Sequence, residues 1–172
     1  MKATPISIWF TGLPGSGKTT LANALKASLQ QEGITSIILD GDEVRKGICS
    51  DLGFSLADRE ENIRRVAELN SDLLKIGLVV INSFVSPTEA IRAKAQTIIG
   101  EERFVLVFVD SPIEVCITRD PKGMYKKALA EKSNNFTGLG QDFEIPNSPA
   151  IHLKTNENSV EECVTEVLRQ LK

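Results

Sequence analysis

Gly12-Leu13-Pro14-Gly15-Ser16-Gly17-Lys18-Thr19 is the stretch on which the fold turns. It matches G-x-x-x-x-G-K-[ST], and its flanks are those the motif needs: a β-branched apolar run at residues 6–10 before it and helical spacing at 20–31 after it. Glycines let successive backbone N–H groups turn inward around phosphate oxygens, and the following helix adds the partial positive charge of its N-terminus. Lys18 has the reach for β- and γ-phosphates, and the Thr19 hydroxyl suits a Mg²⁺ shell. The bland alternative, a glycine-rich turn that happens to precede a helix, requires neither flank. The expected ligand is MgATP, on Gly12, Leu13, Pro14, Gly15, Ser16, Gly17, Lys18, Thr19 and Thr20.

Outward from the loop, short apolar runs at 36–39, 78–81 and 104–109 are rich in β-branched residues and end in turn or capping residues. They predict buried parallel strands, with a weaker fifth at 150–153. Between them, Leu21, Ala24, Leu25 and Leu29 precede Gly33, and Ile63, Val66, Leu69, Leu73 and Ile76 precede Gly77. Both sets have helical spacing, with a glycine where a C′ residue belongs. Ser86-Pro87 and Ser111-Pro112 predict helix starts with a capping hydroxyl, and Ser159 with Glu162 predicts a capping box. The alternation implies an α/β fold of the three-layer P-loop NTPase type: a mostly parallel five-stranded sheet with helices on both faces. Residues 119–147 are polar, rich in Gly and Pro and without a sustained apolar period, which predicts a lid or binding loop. With no repeat or linker, residues 1–172 read as one P-loop kinase domain.

Composition narrows the partners. At 172 residues, 41% hydrophobic and 25% charged, the chain is an ordinary globular protein too short for two full-sized domains. A net charge of -3 argues against a broad basic face for a nucleic-acid polymer but leaves room for a local cluster that grips a small anion. Cys49, Cys116 and Cys163 are widely spaced and odd in number, so reduced core thiols are expected rather than disulfides or a zinc site. Met1-Lys2-Ala3-Thr4-Pro5 leads into the first strand without a signal-type apolar region, and no run is long enough for a membrane span; a cytoplasmic location is expected. His152 is assigned no role.

The second strand ends in Leu39-Asp40-Gly41-Asp42, followed by Val44-Arg45, so two carboxylates emerge at the carboxyl edge of the sheet, where ligands bind in open α/β folds. A carboxylate there can hold a metal-bound water or take the proton of an attacking hydroxyl. Alternatively, Asp42 merely caps a helix beginning at Glu43. Guanine-reading Asn-Lys-x-Asp loops are absent, which, with the small size, favours a metabolite or nucleotide kinase.

Further blocks follow in order: Asp51-Leu52-Gly53-Phe54-Ser55, Asp58-Arg59 with Glu61-Asn62-Ile63-Arg64-Arg65, Ser83-Phe84-Val85-Ser86-Pro87, Arg119-Asp120-Pro121-Lys122-Gly123-Met124-Tyr125-Lys126-Lys127-Ala128, and Phe136-Thr137-Gly138. Together with the phosphate loop and the Asp-Gly-Asp block, they make the sequence resemble the adenylylsulfate kinase family over most of its length. The resemblance implies transfer of the ATP γ-phosphate to the 3′-hydroxyl of adenosine 5′-phosphosulfate, with Asp42 as base, Asp40 in the metal shell through water, and Lys18 on the phosphates. It implies Phe54 and Phe136 as a sandwich for the acceptor adenine, although Phe54 alone would also pass for a core residue. It further implies Arg45, Arg59, Asn62, Val85 and Lys127 as acceptor contacts, Arg119 on ATP, and a possible homodimer. Arg64 and Arg65 fit an exposed salt-bridged face equally well. Ser86 is implied as acceptor-binding, or as a phosphoserine intermediate in the family, while Ser86 with Glu89 also reads as a capping box.

Three positions depart from the family pattern: Thr88 replaces an aromatic residue, Asn135 replaces Gly, and Gln141-Asp142-Phe143-Glu144 replaces Asp-x-Pro-Tyr-Glu. All bear on the acceptor. They keep open a second acceptor, another nucleotide with a modified 5′-phosphate such as cytidine diphosphoramidate. A regulatory nucleotide-binding module without turnover is the reading from another class.

Overall fold

In the computed structural model, which describes residues 4–132 and 136–171, five parallel strands run in the order β2-β3-β1-β4-β5. They are β1 (Ser7–Thr11), β2 (Ser36–Asp40), β3 (Val79–Ser83), β4 (Phe104–Asp110) and β5 (Ile151–Lys154). The helices are α1 (Lys18–Gln31), α2 (Gly41–Val44), α3 (Leu56–Lys75), α4 (Glu89–Ile99), α5 (Ile113–Arg119), α6 (Met124–Ala130) and α7 (Val160–Gln170). Every strand pair is parallel, so the expected sheet is present and wholly parallel.

The period-two alternation of β1 divides the core. Ile8 and Phe10 face α1 and α7, where they join Leu21, Leu25, Val164 and Val167. Trp9 faces the opposite layer, with Ile63, Val66, Ile91 and Ala95 of α3 and α4. Fully buried Trp9 stacks on Phe84 at 5.4 Å and donates its indole N–H to Ser86 Oγ at 3.1 Å. Removing an aromatic side chain of this kind costs about 3–5 kcal/mol. In-register pairing of Phe10 with Ser83 and Thr11 with Phe108 brings the carboxyl ends of β1, β3 and β4 level, and the loops that follow them meet at one edge.

Several local expectations are corrected. Thr88, not Ser86, caps α4: its hydroxyl accepts from Ile91 N, so the presumed Ser86/Glu89 box does not form. Thr88 thus has a local purpose at this position. Ser111 does not cap α5; its buried hydroxyl has no hydrogen-bond partner among the described residues, and α5 starts without a side-chain cap. Asp40, not Asp42, caps α2, accepting from Asp42 N at 3.0 Å. Residues 119–147 are not without a core face, because α6 lies within them and buries Tyr125 and Ala128. Its seven residues are too few for periodicity to register.

Other expectations hold. Ser159 and Glu162 form the capping box, Gly33 and Gly77 follow helix ends with positive φ, and all three cysteines are buried and free. Asn135, with Ser133 and Asn134, lies outside the described residues. Among the described residues no helix is long and apolar enough to cross a membrane.

Candidate active site

The phosphate loop is pressed against β4. A Cβ on Gly12 would lie 2.3 Å from the Val109 carbonyl oxygen, so only glycine fits this approach. Lys18 starts α1 and folds its ammonium back across the loop, donating to the carbonyls of Gly12 (2.9 Å) and Leu13 (2.7 Å). Burial removes water from this charge and lowers its pKa from the usual lysine range to about 8. Thr19 Oγ1 donates to Asp40 Oδ2 at 2.9 Å and lies 3.2 Å from Ser83 Oγ. These three oxygens form a hard-donor cluster beside the loop.

Two cavities, each about 610 Å³, open at this edge. The first is lined by Pro14, Gly15, Gly17, Lys18, Thr19 and Thr20 of the loop, by Asp40 and Asp42, and by Arg119. Gly12, Leu13 and Ser16 stand behind this wall: two supply carbonyls to Lys18, and Ser16 is buried. Arg119, at the end of α5, donates to Thr155 Oγ1 (3.1 Å) and to the Thr155 carbonyl (2.7 Å), and Thr155 Oγ1 in turn donates to the Ser16 carbonyl (2.8 Å). Thr155, Asn158 and Val160 also line this cavity and were missed in the sequence. The rule that ligands gather beyond the carboxyl ends of parallel strands would have found them had the loop after the weak fifth strand been searched.

The second cavity is lined by all nine expected acceptor residues: Asp42, Arg45, Phe54, Arg59, Asn62, Val85, Ser86, Lys127 and Phe136. Phe54 is 56% exposed, which rules out the core reading. Instead the Arg45 guanidinium lies 4.5 Å and that of Arg59 5.7 Å from its ring centroid. Arg45 is aimed by the carbonyls of Leu52 and Gly53, and Arg59 by that of Phe54. Burial, then the neighbouring Arg45 charge, lowers the pKa of Arg59. Two guanidinium groups held this close in one wall make a place for an anion. Opposite them, Phe136 meets Tyr125 edge to face at 4.9 Å, and the Tyr125 hydroxyl donates to the Pro14 carbonyl at 2.9 Å, tying α6 to the phosphate loop. Sequence reading assigned no role to Tyr125, though its block was noticed. Two buried polar atoms in this wall, Asn62 Nδ2 and Thr137 Oγ1, have no hydrogen-bond partner among the described residues.

Asp42 belongs to both linings, and so do Pro14, Gly41, Phe84, Val85 and Met124. Its carboxylate is engaged by the ammonium of Lys122, just before α6. Ser86 adopts φ +37, a left-handed conformation that strains a residue with a side chain. Its hydroxyl, 3% exposed as a residue, is held between Trp9 Nε1 and Thr11 Oγ1. Arg64 and Arg65 are paired with Glu61, and Arg65 also with Asp51, as the salt-bridge reading expected.

The family described as Adenylylsulphate kinase matches residues 4–154. An adenylyl-sulfate kinase of Enterobacter is 51% identical over 96% of this chain and 80% of its own length. One of Citrobacter koseri is 52% identical over 95% of this chain and 79% of its own. Among solved structures, the Mycobacterium tuberculosis APS kinase in complex with AMPPNP and APS is 38% identical. It superposes with a TM-score of 0.94, covering 98% of each chain. Agreement of this extent, in sequence and in backbone course, reaches well past the phosphate loop that many kinases share, and the chain therefore belongs to the adenylylsulphate kinase family.

Proposed function

We propose that this chain, as a single domain over residues 1–172, transfers the γ-phosphoryl group of ATP to the 3′-hydroxyl of adenosine 5′-phosphosulfate. The observation that carries the reading is the position of Asp42 in the wall common to two cavities, one against the phosphate loop and one lined by cations and aromatic rings. Phosphoryl transfer asks the protein chiefly to place two substrates in line and to balance charge, and two adjoining chambers meeting at a carboxylate suit that task.

ATP occupies the first cavity, with its phosphates on the loop amides and Lys18 and with Arg119 and Thr155 beside them. The donor set of Thr19, Asp40 and Ser83 is all oxygen and fits Mg²⁺, which Thr19 and, through water, Asp40 would hold. When bound there, the ion would neutralise charge on the β- and γ-phosphates. The acceptor's adenine stacks between Phe54 and Phe136, and Arg45, Arg59, Asn62 and Lys127 take its phosphosulfate and sugar. Asp42 accepts the 3′-hydroxyl proton as that oxygen attacks the γ-phosphorus. Lys122 exchanges its ion pair with Asp42 for the transferring oxygens. Ser86, buried and engaged by Trp9 and Thr11, shapes the acceptor wall rather than carrying phosphate.

The deciding experiment measures ADP release by the purified protein with MgATP and, in turn, adenylylsulfate, AMP, cytidine diphosphoramidate or no acceptor. Selective stimulation by adenylylsulfate is expected. Stimulation by the cytidine adduct alone would move the acceptor assignment, and nucleotide binding without acceptor-dependent release would replace the enzyme with a binding module.

A further inference from the structure

Arg92 of α4 is 1% exposed, and neither cavity includes it. A guanidinium that deep gives up its hydration, a cost its neighbours must compensate, so its partners show what the protein gains. Nη1 donates to the carbonyl of Ser86 at 2.8 Å. Nη2 donates to the carbonyl of Glu144 at 2.8 Å and to the Glu89 carboxylate at 2.6 Å. The guanidinium also lies 5.7 Å from the Phe143 ring centroid. One of these contacts reaches the acceptor cavity wall at Ser86, and another reaches the Phe143-Glu144 segment that follows its last lining residues, Phe136 and Thr137. Ser86 is the left-handed residue of that wall, and Phe143-Glu144 packs against α4 after the chain has left α6, Phe136 and Thr137.

A second set of bonds reinforces the same junction. The Glu144 carboxylate accepts from Glu89 N at 2.6 Å, and Glu144 N donates to the Pro87 carbonyl at 2.8 Å. Phe143 stacks on Phe108 of β4 at 5.9 Å. The return segment is thus fastened to the start of α4 from both sides, with Arg92 beneath it.

We infer that Arg92 is a positioning residue for phosphoryl transfer: its fork holds the strained Ser86 turn and the Phe143-Glu144 return in register, and so sets the distance across the acceptor cavity. The inference rests on the assignment of that cavity to the acceptor. Without the fork, Ser86 is free to leave φ +37 and the Phe143-Glu144 return loses one of its anchors. The bonds that Lys18 and Thr19 make at the phosphate loop do not involve Arg92. Acceptor and ATP parameters therefore separate, as they would not if Arg92 served only the general stability of the core.

The test compares Arg92→Met and Arg92→Lys with Glu144→Ala. The last removes the carboxylate bond to Glu89 N and leaves the Arg92 bond to the Glu144 carbonyl in place, and Arg92→Lys, which keeps a cation in the core, decides the matter if Arg92→Met does not fold. Displacements of about 1 Å can cost about 10²-fold in a reaction that depends on alignment. A rise of at least about tenfold in the adenylylsulfate KM is expected for Arg92→Met, with ATP affinity within about twofold of the parent. Arg92→Lys, which keeps the charge and loses the fork, should lie between. Tryptic cleavage after Lys126 or Lys127, measured against cleavage after Lys154, is expected to accelerate in both Arg92→Met and Glu144→Ala. Equal rises in both substrate constants, or an unchanged adenylylsulfate KM with unchanged cleavage, would overturn the positioning role. Failure of the unmodified protein to respond to adenylylsulfate would instead remove the functional assignment, and the cleavage ratio would still decide whether Arg92 anchors the return segment.

Discussion

The two cavities are equal in volume and share a wall, yet they are built from different material. The ATP cavity is mostly backbone and short side chains: a loop pressed on β4 by Gly12, the first turn of α1, and carbonyls that hold Lys18. Its phosphate-loop wall is contiguous in the chain, and Asp40, Arg119 and Thr155 close it from elsewhere in the chain. The acceptor cavity is mostly long side chains from four separate stretches beside Pro14 of the phosphate loop: α2 with the loop after it, the start of α3, the turn after β3, and α6 with the residues after it. Backbone cradles suit the part of a substrate common to many kinases. Assembled side chains suit the part that differs from one kinase to the next.

The sharpest way to break this division is at Asp42, which belongs to both halves. Asp42→Asn keeps the shape and removes the base, so turnover should fall by about 10² to 10⁴, with ATP affinity nearly unchanged in a direct binding titration. Retained turnover would show that the shared wall only aligns the substrates.

A smaller effect, confined to one half, is expected from Phe54→Ala. Stacking on a base is worth about 1–3 kcal/mol, which corresponds to a rise of about 5- to 150-fold in the adenylylsulfate KM. ATP binding should not move. A parallel loss of ATP affinity would mean that the cavities are not separable.

The smallest expected effect belongs to the ATP half and is read from pH. Lys18 has its pKa lowered to about 8 by burial, and its ammonium is the form that binds phosphate. ATP affinity should be flat below that value and weaken by up to about tenfold per pH unit above it, measured with the nucleotide fully ionised. The same shift has a stability consequence of opposite direction. Above pH 8 and up to the ordinary lysine value the unfolded chain holds the Lys18 proton more tightly than the folded one, so this group's contribution to stability rises with pH across that window. Lys18→Met should remove the slope in affinity.

Legibility followed the same division. The phosphate loop, the strands and the long helices could be read because their signals are local: glycine spacing, β-branched runs and apolar residues repeating every three or four positions. Helix starts were read less well. Ser86-Pro87 has the composition of a cap, but Trp9 and Thr11 claim the serine hydroxyl, and Thr88 two residues later caps α4 instead. Asp42 was the cap the sequence offered, and Asp40 has that place while Asp42 meets Lys122. In each case a partner distant in sequence decided between two locally acceptable roles. The nine residues expected around the acceptor came from resemblance to a family rather than from spacing, and the tertiary structure brings all of them to one cavity.

By itself, then, the sequence determined the parallel α/β layering, the phosphate loop and the buried, unpaired state of the cysteines, because short-range sterics and periodic burial leave few other solutions. Only the tertiary structure decided that Phe54 stands exposed between two guanidiniums, that Tyr125 ties α6 to the phosphate loop, and that a buried Arg92 joins Ser86 to Glu144. Those contacts span up to 111 residues of chain, and a side chain's choice among distant partners depends on where the sheet and helices finally bring them.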